Sequence, residues 1–252
     1  KAGIVKPGMT IVSGERKGEA ATEIAAACRM RQARLVRAFD GCDLEVDPAR
    51  EAPGRLTLRL TTPVRAYPST TLALRGRHQI ENAVVAVRAL EAMDEAGVSA
   101  PCEAIRRGLT SARWPGRLDL VDVGGGTHVL LDGAHNPAGA RTLGAYLGEF
   151  HPAGAVLVFG AVRDKDHRGL LKELLPHARH VVLTSPPTHR AVPPEELATV
   201  VRALDSGVSI TVEPSPTEAL AGALERGPFA CVCGSLYLLG SVMPLLASLP
   251  RR

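Results

Sequence analysis

The chain has 252 residues, enough for one large or two smaller cores; 45% of them are apolar but only 3% aromatic, so any core is Ala, Val and Leu packing. The formal charge of +4 is carried by arginines scattered among acids, without the aromatics of a single-stranded nucleic-acid surface, which favours anionic small molecules over nucleic acid as partners. No apolar run approaches the roughly 18 residues of a membrane span, no secretory signal is read at the start, and five cysteines without framework spacing point to a reducing, cytoplasmic setting.

In chain order, Thr10 to Ser13 reads as a short strand and Glu19 to Arg31 as an amphipathic helix with Ile24, Ala27 and Cys28 on one face. Three β-rich pieces follow, Arg34 to Arg37, Leu56 to Thr61 and Thr70 to Leu74, with the acidic stretch Asp40 to Pro53 as a surface excursion. A long helix is expected from about Gln79 to Ala96, with Ile80, Val84, Val87 and Leu90 inward, and another from Pro101 to about Ser111. Ala112 to Pro115 reads as a linker, which sets the expected domains at 1–111 and 112–252.

From Arg117 onward strands and helices alternate. Strands are expected at Leu118 to Val123, His128 to Leu131, Ala155 to Phe159, His180 to Thr184, Val208 to Val212 and Phe229 to Cys233. Helices are expected near 137–149, 167–176, 194–204, 216–226 and 236–248. The first two strands form a hairpin through Gly124 to Thr127, and the others, each following a helix, give an α/β fold with a mostly parallel sheet. The triple glycine is a turn rather than a phosphate loop, because a strand follows it and a phosphate cradle needs a helix.

The informative stretch is Leu130 to Pro137, where a buried strand stops at Asp132-Gly133 and restarts as a helix. Asn136 has the side chain of an N-cap and Pro137 suits the first helical position. Open α/β sheets bind ligands at the carboxyl ends of their strands. That edge would collect Asp132 and His135, Gly160 with the charged run Arg163 to His167, Ser185, and Gly234-Ser235. Ser235 is either a plain helix cap or a hydroxyl facing an anion. Trp114 reads as a packing residue at the domain junction, and Arg117 as a guanidinium suited to phosphate. Cys231 and Cys233 share one side of an apolar strand and read as buried hydrophobes, not metal ligands. Only two asparagines, Asn82 and Asn136, and five lysines, Lys1 and Lys165 among them, occur beside 25 arginines. In such a background the remaining Asn and Lys residues are enriched where no substitute serves.

Taken together, Lys1 to Ile4, Gly76 to Gln79 with Asn82-Ala83, Trp114 to Arg117, Leu131 to Pro137, Asp164 to Asp166 and Gly234 to Leu238 resemble folylpolyglutamate synthase/dihydrofolate synthase, of the Mur ligase superfamily. The ordered set spans nearly the whole chain, and Asp-Gly-Ala-His favours the folate branch over other Mur ligases. The resemblance implies the end of a central ATPase domain followed by a Rossmann-like C-terminal domain, acting as a monomer. It implies an ATP- and Mg²⁺-dependent ligase that adds L-glutamate to a folate or dihydropteroate carboxylate through an acyl phosphate. By the same match, Lys1 corresponds to a carbamylated lysine that helps hold Mg²⁺, and Asn82, Arg117 and Asp132 contact ATP. His135 and Ser235 would hold glutamate, with Lys1, Asp132 and His135 as the catalytic set. The family's phosphate loop has no counterpart here, since no Gly-Lys-Ser or Gly-Lys-Thr occurs, so the chain is expected to be a C-terminal portion that is inactive alone. The alternatives are another Mur ligase and a noncatalytic nucleotide-binding remnant.

Overall fold

The computed structural model describes residues 2–52, 54–204 and 207–248. The chain divides into two compact units, Lys1–Arg113 and Trp114–Arg252.

In the first unit, β1 (Thr10–Ser13) and β2 (Arg34–Arg37) pair in parallel, joined by helix α1 (Glu19–Met30). Ala27 and Cys28 of that helix are buried with Val5, and Ile11, Ile24 and Leu35 pack against them. A separate antiparallel sheet has the order β3-β4-β5, from β3 (Asp43–Pro48), β4 (Leu56–Thr61) and β5 (Ala66–Thr71). Helices α2 (His78–Glu95) and α3 (Cys102–Ser111) follow; Ile80, Val84 and Val87 are buried as the period predicts, and Leu90 is only half-buried.

Two sequence expectations are corrected here. The excursion over 40–53 contains β3, in which Leu44 and Val46 alternate with Asp43, Glu45 and Asp47; Pro53 lies outside the described residues. Charges on an edge strand block further pairing, which is why the stretch looked like a loop. The strand expected at Thr70 to Leu74 instead runs Ala66–Thr71, because past Leu72 the backbone turns to α3, with Ala73 N–H donating to the Leu109 carbonyl. Pro68 within it is tolerated on an edge strand.

The second unit holds a six-stranded sheet in the order β10-β9-β8-β11-β7-β6. Its strands are β6 (Asp119–Gly124), β7 (Thr127–Asp132), β8 (Ala155–Phe159), β9 (Ala178–Leu183), β10 (Ser209–Val212) and β11 (Phe229–Cys233). Only β6, hairpinned to β7 across Gly125 and Gly126 at φ 62° and 76°, runs antiparallel. The alternation of side chains splits the core in two. Leu130, Leu157, Phe159, Val181, Leu183, Cys231 and Cys233 pack under α4 (Pro137–Phe150), α5 (His167–Leu174) and α6 (Pro194–Ala203). Val129, Leu131, Val156, Val158, Ala230 and Val232 pack under α7 (Pro216–Glu225) and α8 (Leu236–Ser248). Each fully buried Leu or Val contributes on the order of 1.5–3 kcal/mol, so an aliphatic double layer suffices without aromatics.

This layering creates the switch in the sheet. The helices that follow β7 and β8 lie on one face, whereas the helix that follows β11, between them, lies on the other. The chain therefore diverges at the carboxyl end of β11, where open α/β sheets leave a ligand crevice.

Candidate active site

Asp132 closes β7 and is only 7% exposed. Its Oδ2 accepts the Leu118 N–H and its Oδ1 the Ala134 N–H, both at 2.9 Å, and the Gly133 N–H donates to the Gly116 carbonyl at 2.8 Å. The turn before β6 and the turn after β7 are thus laced together around one carboxylate. That lacing leaves little room at the turn: a Cβ on Gly133 would lie 2.5 Å from the Leu236 side-chain carbon Cδ2 and 3.4 Å from the Gly116 carbonyl oxygen. It also holds Leu118 at φ 43°, a left-handed conformation that costs a branched residue roughly 1–2 kcal/mol and that its 2% exposure keeps in place. Burial pushes the Asp132 carboxyl above the usual carboxylate range; the Leu118 and Ala134 N–H groups, Arg117 and His135 pull the other way.

His135 is half-buried, and its Nδ1 lies 2.8 Å from the Gly133 carbonyl. A carbonyl only accepts, so Nδ1 carries the proton and, in the neutral ring, Nε2 holds the lone pair. Asn136 caps α4 through Oδ1 and the Gly139 N–H at 2.8 Å, with Pro137 at the first helical position, as its sequence indicates. Beside this turn, the Gly234 N–H donates to the Ala134 carbonyl at 3.1 Å. Gly234 has φ 103°, and a Cβ there would sit 2.6 Å from the Gly160 carbonyl oxygen. Ser235 follows, 2% exposed; its Oγ accepts the Tyr237 N–H at 3.1 Å and its carbonyl the Leu239 N–H at 3.2 Å. It does cap α8, and capping uses the hydroxyl oxygen as acceptor while the O–H can still donate.

The charged run after β8 is tied to the loop after β9: Arg163 N–H donates to the Arg190 carbonyl and Val192 N–H to the Ala161 carbonyl. Asp166 caps α5 through the Gly169 N–H. Asp164 faces both Lys165, at 3.4 Å, and Arg190, at 3.5 Å, and Arg190 Nη2 reaches the Tyr237 hydroxyl at 3.3 Å. Arg190 was not singled out in the sequence: it is one of 25 arginines, and only its place on a strand-end loop could have marked it.

Asp132, His135, Ser235 and Arg117 therefore gather at one edge of the second unit's sheet. Asn82 belongs to the first unit, exposed on α2 with its Nδ2 donating to Gln79 Oε1 at 3.0 Å. Lys1 lies outside the described residues. Trp114 is 64% exposed and is no core residue of the unit it opens. Among the described residues no group of three or more His, Cys, Asp or Glu side chains could hold a metal ion. No helix of the described residues is long and apolar enough to cross a membrane.

Residues 116–236 match the family described as Mur ligase, glutamate ligase domain. A Halobacterium salinarum protein described as a probable bifunctional folylpolyglutamate synthase/dihydropteroate synthase is 40% identical over 172 residues, 67% of this chain and 20% of its own length. The dihydrofolate synthase/folylpolyglutamate synthase of Bacillus subtilis is 32% identical over 186 residues, 71% of this chain and 42% of its own. Mycobacterium tuberculosis folylpolyglutamate synthase complexed with ADP superposes with a TM-score of 0.86 at 26% identity, over 99% of this chain and 58% of that one. The chain belongs to the folylpolyglutamate synthase/dihydrofolate synthase family of the Mur ligase superfamily. It spans between a fifth and three-fifths of the length of these relatives. Arg117, Asp132, His135 and Ser235 all fall inside the match to the glutamate ligase domain of the family, and Asn82 falls outside it.

Proposed function

We propose that this chain supplies the glutamate-accepting part of an ATP-dependent ligase that joins L-glutamate to a folate or dihydropteroate carboxylate. In the reaction the γ-phosphoryl group of ATP passes to a carboxylate oxygen and ADP leaves. The glutamate nitrogen then attacks the acyl carbon, the C–N bond forms as the C–O bond to phosphate breaks, and the nitrogen loses a proton. Mg²⁺, when bound, neutralises phosphate charge in such transfers; Lys1, as a carbamate, is proposed to assist in holding it.

The observation that carries this reading is the convergence of a buried acceptor, an imidazole lone pair and a hydroxyl donor on one strand edge. Asp132 has acceptor capacity beyond its two backbone bonds, which suits the hydroxyl groups of a nucleotide, and Arg117 offers its guanidinium to phosphate. Asn82 is proposed to contact ATP as well. His135, with Nδ1 committed to Gly133, offers Nε2 to the ammonium of glutamate, and Ser235 offers its O–H to a carboxylate. Positioning of this kind, rather than covalent chemistry by the protein, supplies most of the acceleration in phosphoryl and acyl transfer.

In a full-length ligase carrying these residues, Asp132→Ala or His135→Ala is expected to lower glutamate ligation by at least about 100-fold, with an unchanged circular dichroism spectrum. Near-normal turnover by either variant would remove that residue from the site. The 252 residues alone are expected to hydrolyse no ATP, and glutamate-dependent hydrolysis by the purified chain would overturn the reading of it as one part of a larger site.

A further inference from the structure

The loops after β8 and β9 carry a charge arrangement that the roles above do not use. Arg190 is held at arm's length: its Nη1 is 3.5 Å from Asp164 Oδ1, its Nη2 is 3.3 Å from the Tyr237 hydroxyl, and its guanidinium carbon is 5.8 Å from the centre of the Tyr237 ring. Both polar contacts are at the long limit for hydrogen bonds, so the guanidinium is oriented without being saturated. Asp164 is shared between two cations, Lys165 and Arg190, at 3.4 and 3.5 Å, so neither is held by a carboxylate of its own. Tyr237 connects this arrangement to the edge already described. Its backbone N–H donates to Ser235 Oγ, and the phenol oxygen at the far end of its exposed side chain accepts from Arg190. Two anion-seeking groups, the Ser235 hydroxyl and the Arg190 guanidinium, therefore stand at the two ends of one tyrosine.

We propose that Arg190 binds the second carboxylate of the incoming amino acid, so that the Ser235–Tyr237–Arg190 arrangement selects a dicarboxylic amino acid over a neutral one. This rests on the glutamate reading of His135 and Ser235. A planar fork of N–H donors matches a carboxylate in two parallel bonds, and Tyr237 and Asp164 fix its plane before the ligand arrives. The amide of glutamine, similar in shape, would present an NH₂ group to those donors and forfeit one bond together with the charge.

The test is a titration of the isotope-labelled 252-residue chain with L-glutamate and L-glutamine at matched ionic strength, followed through the resonances of His135, Ser235 and Tyr237. Glutamate is expected to bind at least about tenfold more tightly than glutamine, a difference of about 1.4 kcal/mol. Arg190→Gln should bring the ratio near one, and Arg190→Lys should leave an intermediate preference. An unchanged ratio in Arg190→Gln, with glutamate still shifting His135 and Ser235, would overturn the role of Arg190 and leave the glutamate reading standing. No shift at His135 or Ser235 in the wild-type chain would overturn both. A parallel titration with inorganic phosphate separates the other source of oxyanions: if Arg190→Gln weakens phosphate binding and spares the glutamate preference, Arg190 does not read the amino acid.

Discussion

Among the described residues two carboxylates are buried, one in each unit, and they are satisfied in opposite ways. Glu91, 1% exposed on α2, accepts from the Thr62 hydroxyl at 2.6 Å, the Tyr67 hydroxyl at 2.9 Å and the Arg88 guanidinium. Three side-chain donors, one of them a cation, take up most of its capacity, and the cluster pins α2 to β5 and to Thr62 just past the end of β4. Burial and the Glu91 carboxylate push the Tyr67 hydroxyl well above its ordinary range, so it remains a donor. Asp132 accepts only two backbone N–H groups, and its nearest influences of opposite sign, Arg117 and His135, act at a distance. Side-chain donors that close around a carboxylate make a structural joint. Backbone donors that hold it at a strand end, with lone pairs to spare, make a place for a ligand.

The largest effect that would break this comparison is expected at Glu91. Glu91→Ala leaves Arg88, Tyr67 and Thr62 without their shared acceptor and should cost about 3–5 kcal/mol, read as a lower urea midpoint and faster amide exchange in α2, β4 and β5. A loss below about 1 kcal/mol would show that the cluster is no joint. Next is Gly234→Ala, which forces a side chain into a left-handed conformation against the Gly160 carbonyl. About 1–3 kcal/mol should be lost from the backbone conformation alone, with exchange rising at Ala134 and Ser235; an unaltered melting temperature would refute the tight edge.

The smallest effects are in the pH dependence, where Asp132 and Asp94 should slope oppositely. The raised Asp132 carboxyl means the folded chain binds more protons than the unfolded one between 3.8 and its folded value. Its contribution is therefore greatest at low pH and is lost as pH rises through that window. Asp94 is held below 3.8 by the Ala100 N–H and Arg65, so its contribution is present above 3.8 and is lost as pH falls through its folded value. Unfolding curves of the wild type against Asp132→Ala and Asp94→Asn from pH 3 to 7 would give differences of opposite slope. Equal slopes would mean that the two carboxylates are held alike.

Much of the second unit is legible in the sequence, because alternating apolar strands such as Ala155 to Phe159 and Phe229 to Cys233 sit between helices with evident caps and turns. The Asp132-Gly133-Ala134-His135-Asn136-Pro137 stretch announces its strand end, turn and helix start locally. β3 was hidden because its charges disguise a short alternation, and β5 because its end depends on where the chain meets α3. Local rules carried these residues only as far as their own element.

What the chain order alone determined is the alternation of strands and helices, the family to which its motifs belong, and the types of polar group that end each strand. Only the tertiary structure decided which of these groups meet. Inserting β11 between β7 and β8 brings Ser235 beside Ala134 across one backbone bond, although about a hundred positions separate them in sequence. The same packing turns the Leu118 N–H toward Asp132 and sets Arg190 over Tyr237. Those contacts depend on strand order and on how closely glycines let backbones approach, and neither is written in the spacing of residues along the chain.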